Sequence, residues 1–236
     1  MKQNILIIDA DSILHVASLQ ETFDEATHYF DEKTHYIVNF LYENHSFDVN
    51  ELFIVIGGQN NFRKFLVSSY KANRPPKPPL YPLVKGWVLE NVKEVVTTHG
   101  VESDDVIAAL ANRYRDDNDV VVASLDKDLR QIHGVQFFNI YHTKYELEWV
   151  DEITALRQHY TLMLTGDSSD NIKVKSGYGK VKAAKLLKDK TTEFGMRKAV
   201  FSIYLDKWGR KAREKYMITK SLVTLRDDES LIPEMF

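Results

Sequence analysis

The strongest constraint on the fold is a series of short apolar runs that alternate with helical patterns along the first 150 residues. Five runs have the length and composition of buried strands, and charged residues or glycine bound most of them. They cover residues 4–10, 52–58, 93–98, 119–125 and 135–141. Apolar residues recur at helical spacing between them, for example over 34–44, 82–92 and 104–115. This alternation predicts an α/β fold with a mostly parallel central sheet flanked by helices.

The strand patterns stop near residue 150, and only helical patterns follow. These helices are predicted over 151–164, 179–188, 192–208 and 210–222. We therefore expect an α/β core over residues 1–150 and a helical region over 151–236. The two parts are expected to pack together as one catalytic unit.

Acidic residues follow several of the predicted strands. Asp9 and Asp11 close the first strand, and Asp126 and Asp128 close the fourth. Glu102, Asp104 and Asp105 follow the third strand, and a further pair, Asp167 and Asp170 in the segment GDSSDNI, comes from the helical region. Because the carboxyl ends of parallel strands meet at one edge, where ligands bind, we expect these acids to converge there.

Each acidic segment also has an ordinary structural explanation. Acids favour the first turn of a helix, where free N–H groups and the helix dipole welcome negative charge. Three acids in four positions, at 102–105, exceed what capping requires and repel one another. The chain has no cysteine, so thiolate ligands are excluded, and oxygen ligands select Mg²⁺ or Mn²⁺ rather than zinc. The sequence favours a divalent-ion site. The alternatives are helix capping at 102–105 and 126–128, ordinary loop acids at 9–11 and an Asx-turn at 167–170.

The net charge of −3 conceals basic clusters. Residues 173–190 hold seven lysines and one acid, and further clusters lie at 63–77 and 197–220. Such runs are commonly solvated helix faces, but around an acidic centre they indicate a bound polyanion such as nucleic acid. No apolar run is long enough to span a membrane, and the N-terminus does not have the pattern of a signal peptide.

Several segments together resemble the 5′-nuclease family, which includes flap endonucleases, phage 5′-to-3′ exonucleases and the nuclease domain of bacterial DNA polymerase I. The segments are IIDAD (7–11), FRKFLVSSYKANR (62–74), GVESDDVIAAL (100–110), ASLDKDLRQI (123–132) and GDSSDNIKVKSGYGKVKAAKLL (166–187). The resemblance implies a PIN-like sheet with an arch or lid at about 62–90. It also implies a helix-three-turn-helix element at about 166–190 that grips the duplex backbone.

The resemblance assigns roles to particular residues. Metal ligands are expected at Asp9, Glu102, Asp104 and Asp105 for the first site, and at Asp126, Asp128, Asp167 and Asp170 for the second. Arg63, Lys71 and Arg74 match basic residues under the arch, where Arg63 and Lys71 steady the scissile phosphate, and Tyr70 either stacks on a base or packs in the interior. Duplex contacts are expected from Gly177, Gly179, Lys180, Lys182 and Lys185.

The implied activity is a structure-specific 5′-nuclease that uses two Mg²⁺ ions, with Mn²⁺ as a substitute and potassium at the helix-three-turn-helix. Its expected substrates are DNA with a 5′ flap or 5′ end and RNA–DNA primer hybrids, cut during replication. We expect a free-standing monomer in the cytoplasm of a bacterium or phage-infected cell, with replication proteins as partners and no membrane association.

One departure from the family pattern lies after the second strand. The family usually has an aspartate there, but residues 53–63 contain no acid, and Ile56 or Gly57 occupies the expected place. Asp11 is an extra acid that compensates in one hypothesis; in another, Gln59 or Asn60 holds a metal-bound water. If the site is weakened by this loss, the alternative is a flap- or junction-binding protein. A PIN-type ribonuclease is a further alternative, although it does not account for the lysine-rich hairpin.

Overall fold

The computed structural model describes residues 2–141 and 146–232. Its centre is a six-stranded sheet in the order β3-β2-β1-β4-β5-β6. The strands are β1 (Asn4–Asp9), β2 (Glu51–Gln59), β3 (Val95–His99), β4 (Asp119–Ser124), β5 (Val135–Asn139) and β6 (Leu147–Val150). The first five pair in parallel and β6 is antiparallel to β5, which confirms the predicted α/β class with a mostly parallel sheet.

Helices surround this sheet and continue beyond it. They are α1 (Asp11–Ala17), α2 (Phe23–His45), α3 (Phe62–Leu66), α4 (Tyr81–Asn91), α5 (Ser103–Tyr114), α6 (Glu152–Thr165), α7 (Lys180–Leu187), α8 (Glu193–Trp208) and α9 (Ala212–Val223). None of the helices in the described part of the chain is both long and apolar enough to cross a membrane. The sequence patterns did not predict α1, α3 or β6.

The central strand β1 is buried on both faces because helices cover the sheet from both sides. Ile5 and Ile7 belong to an apolar cluster with α5, whereas Leu6 and Ile8 belong to a second cluster with α1, α2 and α4. Successive strand residues point to opposite faces, so a strand covered on both sides is a continuous apolar run. This packing holds the carboxyl ends of the strands in fixed positions.

The C-terminal helices form a third apolar cluster around Tyr160, Met163 and Tyr204. Tyr70, from the segment between α3 and α4, is buried in this same cluster. Tyr70 therefore joins this segment to the C-terminal helices, and the arch or lid expected over about 62–90 stays a prediction. The domain boundary near residue 150 stays a prediction.

A double glycine ends the regular part of β2. A Cβ atom on Gly58 would lie 1.6 Å from the carbonyl oxygen of Thr98 on β3, so only glycine fits there. The pairing of β2 with β3 is irregular between Ile56 and Gln59. As a result the backbone N–H of Gly57 turns towards the start of α1, at the edge where the acids gather.

Candidate active site

Carboxylates from separate elements meet at the carboxyl edge of the sheet. Asp9 ends β1, Asp126 follows β4, Glu102 and Asp104 begin α5, and Asp170 lies in the loop after α6. A cavity of about 30 Å³ is lined by Arg63, Tyr70, Glu102, Asp104, Asp126, Asp128, Gln131, Leu162, Asp167, Asp170, Ile172, Leu222, Val223 and Leu225. This volume suits a water molecule or an ion and is far too small for a nucleoside.

Asp9 is held by hydrogen bonds from its neighbours. The hydroxyl of Ser124 donates to Oδ2 of Asp9 over 2.6 Å, and the backbone N–H of Asp11 approaches Oδ1 at 3.4 Å. The same Ser124 oxygen accepts the N–H of Asp126 at 2.8 Å, which links the ends of β1 and β4. Burial and the charges of Asp11 and Asp126 raise the pKa of Asp9 to about 7, against the lowering effect of these hydrogen bonds.

Two further carboxyls share this raised affinity for protons. Burial and the charges of Asp9, Asp126 and Glu102 raise the pKa of Asp104 well above its ordinary value. Burial and the charge of Asp126 raise the pKa of Asp128 to about 7. The cluster therefore carries a concentration of negative charge that a cation relieves.

Asp167 is the exception among these acids. Burial raises the pKa of Asp167, but hydrogen bonds from Ser169 and Asp128 outweigh it and hold the pKa below its ordinary value. The N–H and hydroxyl of Ser169 donate to Oδ1 of Asp167 at 2.7 and 2.6 Å. Asp167 therefore stays an anion beside Asp128.

Asp105 does not face the cavity as a free ligand, which corrects its assignment to the first metal site. Its side chain is fully buried, and both oxygens accept two hydrogen bonds each. Arg63 donates to Oδ2 at 2.6 Å and to Oδ1 at 2.7 Å, while the N–H groups of Glu102 and Arg226 complete the set at 3.1 and 2.8 Å. Asp105 anchors the start of α5.

The phosphate-binding role expected for Arg63 is also corrected, because its side chain is only 1% exposed. Besides Asp105, its guanidinium donates to Glu102 and to the carbonyl oxygens of Leu222 and Thr224. Although Arg63 lines the cavity, its N–H donors are engaged by these buried partners, so its side chain is nearly inaccessible to a scissile phosphate. The basic character of 62–74 in the sequence did not distinguish this arginine from exposed ones.

Tyr70 packs in the interior, which is one of the two alternatives that the sequence left open. It is 3% exposed, and its hydroxyl lies 2.6 Å from Oε2 of Glu102 and 2.9 Å from Oδ2 of Asp170. Burial and these two carboxylates raise the pKa of Tyr70, so it remains a neutral donor. It ties α5 to the loop after α6.

Lys71 and Arg74 lie over the acidic cavity. Lys71 forms an ion pair with Glu102 and lies 3.5 Å from Asp170, and Arg74 contacts Asp170 at 2.6 Å. Burial lowers the pKa of Lys71, but the charges of Glu102, Asp170 and Asp104 outweigh this effect and raise it overall. Both side chains therefore bring positive charge to the rim of the site.

The acids fall into a paired and an unpaired set. In the described part of the chain no ion pair holds Asp9, Asp104, Asp126 or Asp128, and no three acids or histidines there converge into a ready-made ion cage. Cations instead hold Glu102, Asp105 and Asp170. The unpaired set is the part of the cluster that is available to an ion without exchange of an existing ion pair.

The lysine-rich hairpin is exposed beside this site. Gly179 precedes the first residue of α7, and Gly177 has a φ of +83°, which favours glycine. No atom lies within 4 Å of a Cβ placed on either glycine, so the backbone is open to a ligand. Lys180, Lys182 and Lys185 are exposed on α7.

Three residues of the site were missed from the sequence. Ser124 binds Asp9, Ser103 donates to Oδ2 of Asp11 at 3.0 Å, and Gln158 of α6 donates to Oδ1 of Asp128 at 3.0 Å. Ser103 and Ser124 lie within two residues of the acids in the chain, and this adjacency was the available signal. No sequence signal indicated Gln158, because only the tertiary fold brings it near Asp128.

Asp9→Asn should stabilise the protein in EDTA at pH 8 by on the order of 1–2 kcal/mol. Below pH 4 the carboxyl is protonated in folded and unfolded chains alike. Between about pH 4 and pH 7 only the folded state keeps the proton, so wild-type stability falls as pH rises. Thermal unfolding from pH 4 to 8 measures the difference in stability between Asp9→Asn and wild type. The control is Asp24→Asn, which removes a first-turn acid of α2. A variant that is less stable than wild type at pH 8 would contradict the assignment.

The chain matches the family model described as the 5′-3′ exonuclease, N-terminal resolvase-like domain, over residues 4–161. It is 30% identical to the thermostable DNA polymerase I of Thermus aquaticus over 167 residues, which are 66% of this chain and 20% of that one. It is 32% identical to a 5′-3′ exonuclease of Bacillus subtilis over 152 residues, covering 57% of this chain and 50% of the other. The chain thus spans about a fifth of the polymerase and half of the exonuclease.

Solved structures share the fold. The T5 D15 protein co-crystallised with metal ions aligns with a TM-score of 0.65 and 16% identity, covering 97% of this chain and 90% of that chain. The catalytic core of Rad2 in complex with DNA aligns with a TM-score of 0.56 and 15% identity, covering 94% and 72%. At these identities the alignments establish a common architecture.

Proposed function

The chain belongs to the 5′-3′ exonuclease family, and on this premise we propose that it is a divalent-metal-dependent nuclease that hydrolyses phosphodiester bonds at 5′ ends and flaps. One observation carries the proposal. Asp9, Asp104, Asp126 and Asp128 reach one edge of the sheet from different elements, and no cation of the described chain pairs with them.

The donor set fits Mg²⁺ or Mn²⁺. All of the donors are carboxylate oxygens, and the raised pKa values of Asp9, Asp104 and Asp128 indicate that a positive charge stabilises the cluster. We assign Asp9, Glu102 and Asp104 to a first ion and Asp126, Asp128, Asp167 and Asp170 to a second. When bound, two such ions activate a water molecule and stabilise the leaving oxygen of phosphodiester cleavage.

Side chains of the rim orient the phosphate and the ligands. Lys71 keeps its positive charge beside Glu102, where it would offset charge that develops on the phosphate. Arg74, about half-exposed, extends this positive edge towards the incoming strand. Ser124 and Gln158 hold Asp9 and Asp128 in place by hydrogen bonds, as the outer partners of ligating carboxylates do.

We further propose that α6, the loop 166–179 and α7 act as a helix-three-turn-helix that grips duplex DNA. The open backbone at Gly177 and Gly179 allows a phosphate to approach, and the lysines of α7 supply charge. The same loop is the proposed potassium site. The substrates proposed are DNA flaps, DNA 5′ ends and RNA–DNA primer hybrids, which a monomer processes with other replication proteins.

The polarity of cleavage tests this function. The two substrates are duplexes of the same sequence, one with a single-stranded 5′ flap and the other with a 3′ flap, each labelled on the flap strand. Product from the 5′ flap alone supports a 5′-nuclease. Equal cleavage of both flaps, or a preference for single-stranded RNA, would contradict it.

Lys180→Ala should weaken duplex binding uniformly across sequences and flatten its salt dependence. Each lost phosphate contact lowers the slope of log K against log[salt] by about 0.9. Binding is measured by fluorescence anisotropy at about 50 to 200 mM salt, because DNA affinity changes steeply with salt over this range. The control is Lys93→Ala, an exposed lysine just before β3, at the opposite edge of the sheet. Equal slopes for the Lys180 variant and wild type would exclude this contact.

A further inference from the structure

Asp11 is the first residue of α1, and its carboxylate faces the end of β2. Its Oδ1 accepts the backbone N–H of Gly57 at 3.1 Å, and its Oδ2 accepts the hydroxyl of Ser103 at 3.0 Å. Gly57 belongs to β2 and Ser103 to α5. Three elements thus hold one carboxylate at the edge where the other acids lie.

The space taken by Asp11 is the space of a side chain at position 57. A Cβ on Gly57 would lie 2.6 Å from Oδ2 of Asp11 and 3.4 Å from its carboxyl carbon. A side chain at position 57 would therefore require the carboxylate of Asp11 to leave its present position. The neighbouring position 58 cannot supply a side chain either, because the carbonyl of Thr98 blocks it.

One hydrogen bond and one chain neighbour connect Asp11 to the acids of the site. Its own N–H approaches Oδ1 of Asp9, and its partner Ser103 stands between Glu102 and Asp104 in the chain. Among the described residues, none forms an ion pair with Asp11. If Asp11 only capped its helix, it would not need its hydrogen bonds with Gly57 and Ser103. Ligating carboxylates are typically oriented by such outer hydrogen bonds.

We propose that Asp11 is a carboxylate of the first metal site, delivered from α1 into the place that a side chain at position 57 would take from β2. This rests on the proposed function, because it requires a divalent ion beside Asp9. Glycine at position 57 is then part of the site, since it leaves room for the Asp11 carboxylate. The hydrogen bond from Ser103 would hold the Asp11 carboxylate in place when an ion binds.

Mn²⁺ binding to the metal-stripped protein tests the proposal without reference to cleavage. Free Mn²⁺ is measured by electron paramagnetic resonance for wild type and for Asp11→Asn, Asp104→Asn and Asp24→Asn. We expect Asp11→Asn to weaken the tightest binding by about 10- to 100-fold. Asp24→Asn, which removes a first-turn acid of another helix, should bind as wild type. Unfolding temperatures in EDTA show that each variant is folded.

A swap of positions gives a second, independent readout. Asp11→Ala removes the carboxylate and empties the space at Gly57. Adding Gly57→Asp in that background returns a carboxylate from β2, so the double variant should bind Mn²⁺ more tightly than Asp11→Ala alone. A purely structural role for Asp11 predicts no such recovery.

The outcomes separate the two proposals. Wild-type Mn²⁺ affinity in Asp11→Asn, together with a loss in Asp104→Asn, overturns the role of Asp11 and leaves the nuclease function standing. Absence of Mn²⁺ binding in wild type overturns both. Weakened binding in Asp11→Asn with recovery in the double variant supports the proposal.

Discussion

Arg63→Ala should lower the free energy of unfolding by about 3–5 kcal/mol. Arg63 and Asp105 form a fully buried ion pair with two short hydrogen bonds. Removal of the guanidinium leaves a carboxylate with no water to solvate it and no cation beside it. It also removes the donors to the carbonyls of Leu222 and Thr224, which join α3 to the end of α9.

The effect is measured by chemical denaturation, with Lys64→Ala as a control from the same short helix, since Lys64 is exposed. Arg63→Lys keeps the charge but not the paired geometry, so its stability should fall between those of Arg63→Ala and wild type. The double change Arg63→Met and Asp105→Leu removes both charges and should recover part of the loss. Destabilisation by less than about 1 kcal/mol in Arg63→Ala would mean that the arginine is solvated and not a buried partner.

Asp126→Ala should reduce cleavage by about a thousandfold while DNA binding persists. Asp126 follows β4, faces the acidic cavity and is exposed. Its carboxylate accepts one local hydrogen bond, from the N–H of Asp128 at 2.8 Å, so its removal should disturb the fold little. Its loss removes a ligand of the proposed second ion and a charge that acts on Asp9, Asp104 and Asp128. Binding relies on the lysines of α7, which the change leaves in place.

Asp119→Ala is the matched control, because Asp119 is exposed on the same strand at the opposite edge of the sheet. Single-turnover cleavage separates the chemical step from binding, and anisotropy in EDTA measures binding alone. Cleavage by Asp126→Ala at the wild-type rate would show that the metal-site assignment is wrong. Loss of binding as well would show that the carboxylate supports the DNA surface.

The sheet could be predicted because its parallel strands are covered on both faces and are therefore continuous apolar runs, as in β1 and β4. The missed strand β6 is short, lies at the edge and exposes Trp149, so its pattern is weak. The helix α1 was missed because it follows β1 almost directly. The two elements appear in the sequence as one apolar stretch interrupted by acids.

The candidate site was predictable only in outline. Strand ends and acid spacing indicated where the carboxylates gather, but both Asp104 and Asp105 had the pattern of a ligand. What distinguishes the two acids is Arg63, which lies 42 positions from Asp105 in the sequence and pairs with it in the fold. Likewise, residue type alone does not show whether Tyr70 faces a base or two carboxylates. Tertiary packing decides these cases, because charge in the interior must be paired.

The central claim is that the unpaired carboxylates support metal-dependent cleavage at 5′ ends. The most direct measurement follows a 5′-labelled flap duplex with wild type and Asp126→Ala, in parallel with EDTA, Mg²⁺ and Mn²⁺. The proposed function predicts product from wild type with either metal ion, none with EDTA, and none from the variant. Wild type that binds the flap but yields no product with any metal ion would contradict it and identify a flap-binding protein.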